Sequence, residues 1–153
     1  MDSRKPVILL VENDRADQEI IRRIADQGAT SAQLEIVSSG QEALDYLSRS
    51  GSYEGGDASP PNLVLLDLNM PGLSGLDVLA RIRERKDTRS LPVIVLSTSD
   101  QESDIVQSYD LGANSFLTKP VRFDEFIRVI RELDEYWFDL AVLPPPLGSA
   151  ASG

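Results

Sequence analysis

Leu63-Val64-Leu65-Leu66-Asp67-Leu68-Asn69-Met70-Pro71-Gly72 is the stretch whose reading decides the fold. Its unbroken aliphatic run predicts a short strand buried on both faces, as in the interior of a parallel sheet. The run stops at one carboxylate, Asp67, and the turn that follows is punctuated by Pro71 and Gly72. Ligands of open α/β sheets bind beyond the carboxyl ends of the strands. Asp67 is therefore either a functional group or the cap of the next helix, and the stretch alone leaves both readings open.

Working outward, Val7–Val11 is a second aliphatic run, ending in Glu12-Asn13-Asp14. Residues 93–96 form a third, ending in Ser97-Thr98-Ser99. Residues 34–37 and 115–118 are weaker strands, the first predicted near a sheet edge. Between them lie helical spacings. Residues 15–27 place Ala16, Ile20, Ile21, Ile24 and Ala25 on one face, with Asp14 and Asp17 as a cap pair. Ser39 with Glu42, Ser74 with Asp77 and Ser99 with Glu102 mark three further helix starts. Residues 50–61 read as a long mobile loop. The helix opened by Ser99 has little to bury and is a candidate for motion.

The last helix is predicted over residues 123–140, with Phe126, Ile130 and Trp137 inward. It carries a second stripe, Val129, Leu133, Tyr136 and Leu140, beyond what packing on one sheet requires. The Pro-rich tail from Pro144 to Gly153 cannot form a core. Strand followed by helix, repeated along the chain, implies a doubly wound parallel α/β sheet with right-handed crossovers.

The composition narrows the chemistry. At 153 residues the chain is long enough for a single core, and no apolar run approaches the length of a membrane helix. Residues 1–6 are too short and polar for a secretory signal, so a cytoplasmic location is expected. The chain has no Cys and no His. That removes thiolate metal sites, histidine triads and histidine acid–base catalysis. A net charge of −10 argues against nucleic acid as partner. What remains is carboxylate, lysine, hydroxyl and amide chemistry, suited to a hard cation.

Those groups sit at strand ends: Glu12 and Asn13, Asp67, Ser97, and Lys119 before Pro120. Brought together, they suit a divalent cation beside a phosphoryl group, with Asp67 as the nucleophile. Each also has a plainer reading. Asp14 can cap a helix, Lys119 can be a solvated loop lysine, and Phe116 can be a core aromatic. The coincidence of polar residues at four strand ends favours a site.

These residues resemble the receiver domain of two-component response regulators. The resemblance spans residues 6–139 and rests on Leu10-Val11-Glu12-Asn13, Asp67-Leu68-Asn69-Met70-Pro71 with Gly75, Ser97, and Lys119-Pro120. It implies a (βα)5 flavodoxin-like receiver over residues 1–140, with a C-terminal arm and tail over 141–153. It further implies a signalling module, not an enzyme, that takes a phosphoryl group from a histidine kinase onto Asp67. Glu12, Asn13, Asp67 and the Asn69 carbonyl would hold Mg²⁺ (or Mn²⁺), and Lys119 would pair with the phosphoryl group. Ser97 and Phe116 would form the switch pair, and the bond before Pro120 would be cis.

One residue departs from the pattern: Asn13 stands where the family usually has Asp, which implies weaker metal binding. The finer likeness is to single-domain regulators paired with phytochromes. It rests on Tyr53-Glu54, Ser108-Tyr109 and the ending Tyr136-Trp137-Phe138 through Val142-Leu143-Pro144. It implies a phytochrome-type kinase as partner. It also implies a homodimer through Val129, Leu133, Tyr136, Leu140, Val142 and Leu143. Three alternatives remain. A haloacid-dehalogenase-type hydrolase would need a second Asp at position 69, which is Asn. A nucleotide-binding module would need a phosphate loop where Glu12-Asn13-Asp14 stands. A degenerate receiver would bind its partner without phosphorylation.

Overall fold

A computed structural model describes residues 5–56 and 58–145. Five strands form one sheet: β1 Val7–Val11, β2 Gln33–Val37, β3 Leu63–Leu66, β4 Val93–Ser97 and β5 Ser115–Thr118. Their spatial order is β2-β1-β3-β4-β5 and every pairing is parallel. The helices are α1 Arg15–Asp26, α2 Gly40–Ser48, α3 Gly75–Glu84, α4 Glu102–Asp110 and α5 Phe123–Asp134. The doubly wound α/β architecture is as expected. So is the place of β2 at one edge, and β5, the other weakly apolar strand, forms the opposite edge.

The core divides by the period-2 alternation of strand side chains. Leu9, Val11, Val64, Leu66, Val93 and Val95 face α2 and α3, packing on Tyr46, Leu47, Leu79 and Ile82. Ile8, Leu10, Leu63, Leu65, Ile94 and Leu96 face α1 and α5, packing on Ile24, Phe126 and Ile130. The central strands are buried along their full length, which is why they read as continuous aliphatic runs.

Three local expectations change. First, α4 opens at Glu102 after Gln101, while Ser99 accepts from the Gln101 amide and donates to Asp104. The hydroxyl is used in the turn before the helix. Ser108 is the one fully buried residue of α4, and Val106 and Tyr109 are about half exposed, at 49% and 48%.

Second, the loop over residues 50–61 is clasped to α2. Its short 3-10 turn, Gly51–Tyr53, sets the Tyr53 ring edge-on against Tyr46 at 5.0 Å. The Tyr53 hydroxyl donates to Glu42 and the Tyr46 hydroxyl donates to the Ser59 carbonyl, each at 2.7 Å. Burial, with the nearby charge of Glu35, pushes the Tyr46 phenol up to about 12. Burial and the bond to Glu42 push Tyr53 to about 12 as well. The unfolded chain gives up these protons near pH 10, so stability falls as pH rises from there through about 12. We expect an ultraviolet phenolate titration in which two tyrosines ionise near 12, each lost in turn from Tyr46→Phe and Tyr53→Phe. Native midpoints near 10 for both would contradict the clasp.

Third, the last helix is not α-helical throughout. At Glu135–Leu140 it becomes a π-helix, closed by the Ala141 amide donating to Tyr136 at 2.7 Å. The proline tail from residue 146 lies outside the described residues.

The turn after β3 depends on two glycines. Gly72 holds φ at +75°, a left-handed conformation that a side chain resists. Gly75 opens α3 hard against the backbone behind Asp67. A Cβ there would lie 2.3 Å from the Asp67 carbonyl oxygen and 2.6 Å from the Leu68 Cα. Backbone on both sides cannot yield without moving the turn, so Gly75→Ala is expected to cost about 1–3 kcal/mol in urea denaturation. An unchanged midpoint would show that the turn has slack.

Candidate functional site

The strand order reverses at β1, whose neighbours are β2 on one side and β3 on the other. The carboxyl ends of β1 and β3 thus flank the crevice where such sheets bind ligands. Glu12 follows β1 and Asp67 follows β3, and both are buried, 1% and 6% exposed. α3 is capped by a reciprocal pair in which the Asp77 amide donates to Ser74 and the Ser74 amide to Asp77. The cap reading of Asp67 therefore fails. Among the described residues its carboxylate accepts one hydrogen bond, a long one from the Asn69 amide at 3.3 Å.

Lys119 joins the two acids. Following β5, with its amide donating to the Ser97 carbonyl at 2.8 Å, it reaches back under the strand ends and is 9% exposed. Its ammonium donates to Glu12 Oε1 at 2.5 Å and to Asp17 Oδ2 at 2.7 Å, and lies 3.7 Å from Asp67 Oδ2. The solvated-loop reading of this lysine is excluded. Burial opposes its charge, but the bonds to Asp17 and Glu12 and the charge of Asp67 prevail and raise its pKa. Burial and the charge of Asp67 push the Glu12 carboxyl up, against the lysine bond that lowers it.

The remaining residues fall around this centre. Asn13, next to Glu12 in the chain, is exposed. Asp14 is the N-cap of α1, accepting from the Ala16 amide at 2.8 Å, while its own amide donates to Glu12 at 3.0 Å. Its expected partner in capping, Asp17, turns to Lys119 instead, because an ammonium is a stronger partner than a helix terminus. Ser97 is fully buried, and its hydroxyl oxygen accepts from the Ser99 amide at 3.2 Å and, weakly, from Asn69 at 3.5 Å. It makes no bond to Asp67. Phe116 is half-buried against the α2–α3 core, and its amide donates to the Tyr109 hydroxyl at 3.1 Å.

One expectation is overturned: the Lys119–Pro120 bond is trans, as are all the described peptide bonds. Trans is the ordinary preference of an X–Pro bond, by about 0.5–1 kcal/mol, and no spacing in the sequence called for cis. One contributor escaped the sequence reading altogether. Asp17 looked like a first-turn helix acid, and only the fold brings it to Lys119.

Three carboxylates around one ammonium leave the cluster two charges negative. That surplus, with oxygen donors alone on offer, fits a hard divalent cation. Among the described residues no three acidic or histidine side chains form a metal-holding group, so amide and backbone oxygens would have to complete a coordination shell. Chemically the arrangement presents a carboxylate nucleophile with a fixed cation beside it. Among the described residues no helix is long and apolar enough to cross a membrane.

The profile of the response regulator receiver domain matches residues 8–131. The response regulator Rcp1 of Synechocystis sp. is 36% identical over 138 residues, which is 90% of this chain and 92% of that protein. The crystal structure of the phosphorylated cyanobacterial phytochrome response regulator RcpA superposes with a TM-score of 0.86 at 37% identity, covering 93% of this chain and all of that one. The Mn²⁺-bound form of Rcp1 gives a TM-score of 0.82 at 35% identity, covering 92% and 99% of the two chains.

Proposed function

The chain belongs to the response regulator receiver family, and we propose from that premise that Asp67 is its phosphoacceptor. The observation that carries this is the buried Glu12–Lys119–Asp67 cluster at the sheet reversal, with α3 capped elsewhere. An Asp67 oxygen attacks the phosphorus of a phosphohistidine on a histidine kinase. The P–N bond breaks, an acyl phosphate forms, and the imidazole leaves as the neutral ring, keeping the proton its other nitrogen carried. Lys119 supplies positive charge for the phosphoryl oxygens from 3.7 Å away. Glu12, Asn13, Asp67 and the Asn69 carbonyl would hold Mg²⁺, or Mn²⁺, which when bound neutralises the incoming phosphate. Ser97 and Phe116 are the switch pair, one hydroxyl buried beside the site and one ring half-buried behind it. The phosphoryl group passes from the kinase to this chain, and the phosphorylated chain is itself the signal, read by protein contact.

The kinase is of the phytochrome type, a reading supported by the likeness to RcpA and Rcp1. The second stripe and the arm supply a homodimer contact. Tyr136, Leu140 and Val142 are 54%, 70% and 98% exposed, with Val129, Leu133 and Leu143 half-buried beside them. Leu133 also packs on the α1–α5 core, so the exposed trio carries most of the contact. Tyr136→Asp with Leu140→Asp should leave a monomer in sedimentation at micromolar concentration. A parent protein that is already monomeric rules the contact out.

The function itself is tested by incubation with Mg²⁺ and acetyl phosphate, followed by intact mass and peptide mapping. An acid-stable, base-labile adduct on the Asp67 peptide is expected. No adduct would leave the constitutive binding module, the reading that the missing negative charge at Asn13 keeps open.

A further inference from the structure

We propose that Asp17 is a positioning residue that holds Lys119 away from the phosphoacceptor in the resting protein. The inference rests on Asp67 being that acceptor and goes beyond the reading above by adding a competitor for its lysine. Lys119 makes its two real hydrogen bonds to Glu12 and Asp17, at 2.5 and 2.7 Å. Toward Asp67 it has only an ion pair at 3.7 Å. Asp17 lies in the first turn of α1 but does no capping, since Asp14 holds the Ala16 amide. Its side chain is 23% exposed, well below its neighbours on the outer face of the helix, such as Glu19 at 69%. It is thus turned in for the lysine and not out for solvent.

Glu12 and Asp17 compete with any anion that forms on Asp67. Glu12 stays beside the ammonium whatever Asp67 carries, because it is buried one strand end away. Asp17 is the partner on the far side, attached to a helix that borders a cavity of about 280 Å³. Ile20, Thr98, Lys119, Pro120 and Phe126 line that cavity with it. The ammonium can leave Asp17 for a phosphoryl oxygen without vacating Glu12. Exchange of that one bond is the step the structure makes available when Asp67 is charged with phosphate.

The test compares wild type with Asp17→Asn, Asp17→Glu and Lys119→Met. Affinity for beryllofluoride, a phosphoryl mimic, is titrated by ¹⁹F NMR at fixed Mg²⁺, beside the rate of labelling by acetyl phosphate. Asp17→Asn is expected to bind the mimic about threefold to tenfold more tightly, the range of one partly screened ion pair. Labelling should quicken in the same sense, and Asp17→Glu should restore wild-type behaviour. In the Lys119→Met background the Asn substitution should change the affinity by less than a factor of about two, since the lysine it acts through is gone. Unchanged or weaker binding by Asp17→Asn overturns the proposal. So does an effect of equal size without the lysine. A wild type that neither labels nor binds the mimic would instead overturn the phosphoacceptor reading.

Discussion

Asp67→Asn is expected to take up no phosphoryl group from acetyl phosphate or from a kinase, while keeping the fold intact. An amide at this position has no anionic oxygen to attack phosphorus, and no second nucleophile stands in its place. Glu12 is the nearest carboxylate on the strand ends, but both its oxygens are committed, to Lys119 and to the Asp14 amide. The stability consequence is less obvious and more diagnostic. In the metal-free protein Asp67 adds a buried negative charge that pushes Glu12 toward its neutral form. Its own return is one amide bond at 3.3 Å and an ion pair at 3.7 Å. Asparagine keeps the shape and the Asn69 bond, and Lys119 keeps Glu12 and Asp17. Metal-free Asp67→Asn should therefore be as stable as wild type or more so, by on the order of 1 kcal/mol in urea denaturation. Mg²⁺ should stabilise the wild type and leave the variant much less affected. Equal labelling of the two proteins, or a variant that unfolds, would refute this account of Asp67.

The elements legible in the sequence were those set by local or periodic chemistry. Aliphatic runs with a polar residue at one end gave β1, β3 and β4, because a strand buried on both faces tolerates nothing else. Ser74 with Asp77 marked α3, because a capping box spans only its own turn. The convergence of Glu12, Asp67 and Lys119 followed from parallel strands having their ends on one edge. What escaped depends on pairs far apart in the chain or on geometry without a sequence period. Asp17 meets Lys119 across 102 residues. In sequence it looks like any acid near a helix start. Ser99 has the spacing of a cap, but its oxygen accepts from the Gln101 amide ahead of the helix while its proton goes to Asp104. The π-turn at Glu135–Leu140 shifts the ladder by one residue, and apolar spacing does not register so small a change. Tyr46 and Tyr53 clasp a loop that turn residues alone portray as loose. The trans bond before Pro120 corrects a feature taken from resemblance and not from any residue's chemistry.

Asn13→Asp should tighten Mg²⁺ binding about tenfold to a hundredfold, measured by titration calorimetry. A unit charge at contact distance is worth up to ~4 kcal/mol at an effective dielectric of about 20. Asn13 is exposed, so solvent screens a good part of that, and roughly 1.4–2.8 kcal/mol corresponds to the range given. The structure removes both residues that could have supplied the missing charge. Asp14 is exposed and tied to the Ala16 amide as a helix cap. Asp17 is tied to Lys119, where it neutralises an ammonium and not an incoming cation. The gain should shrink as salt rises, because an exposed charge is screened within about 8 Å at physiological ionic strength. Without metal the added carboxylate faces Glu12 and Asp67 unpaired, so the same variant should lose up to about 1 kcal/mol of stability. Tighter metal binding and a weaker apo fold are thus two readings of one charge. An unchanged affinity would mean that this site takes its cation without help from position 13.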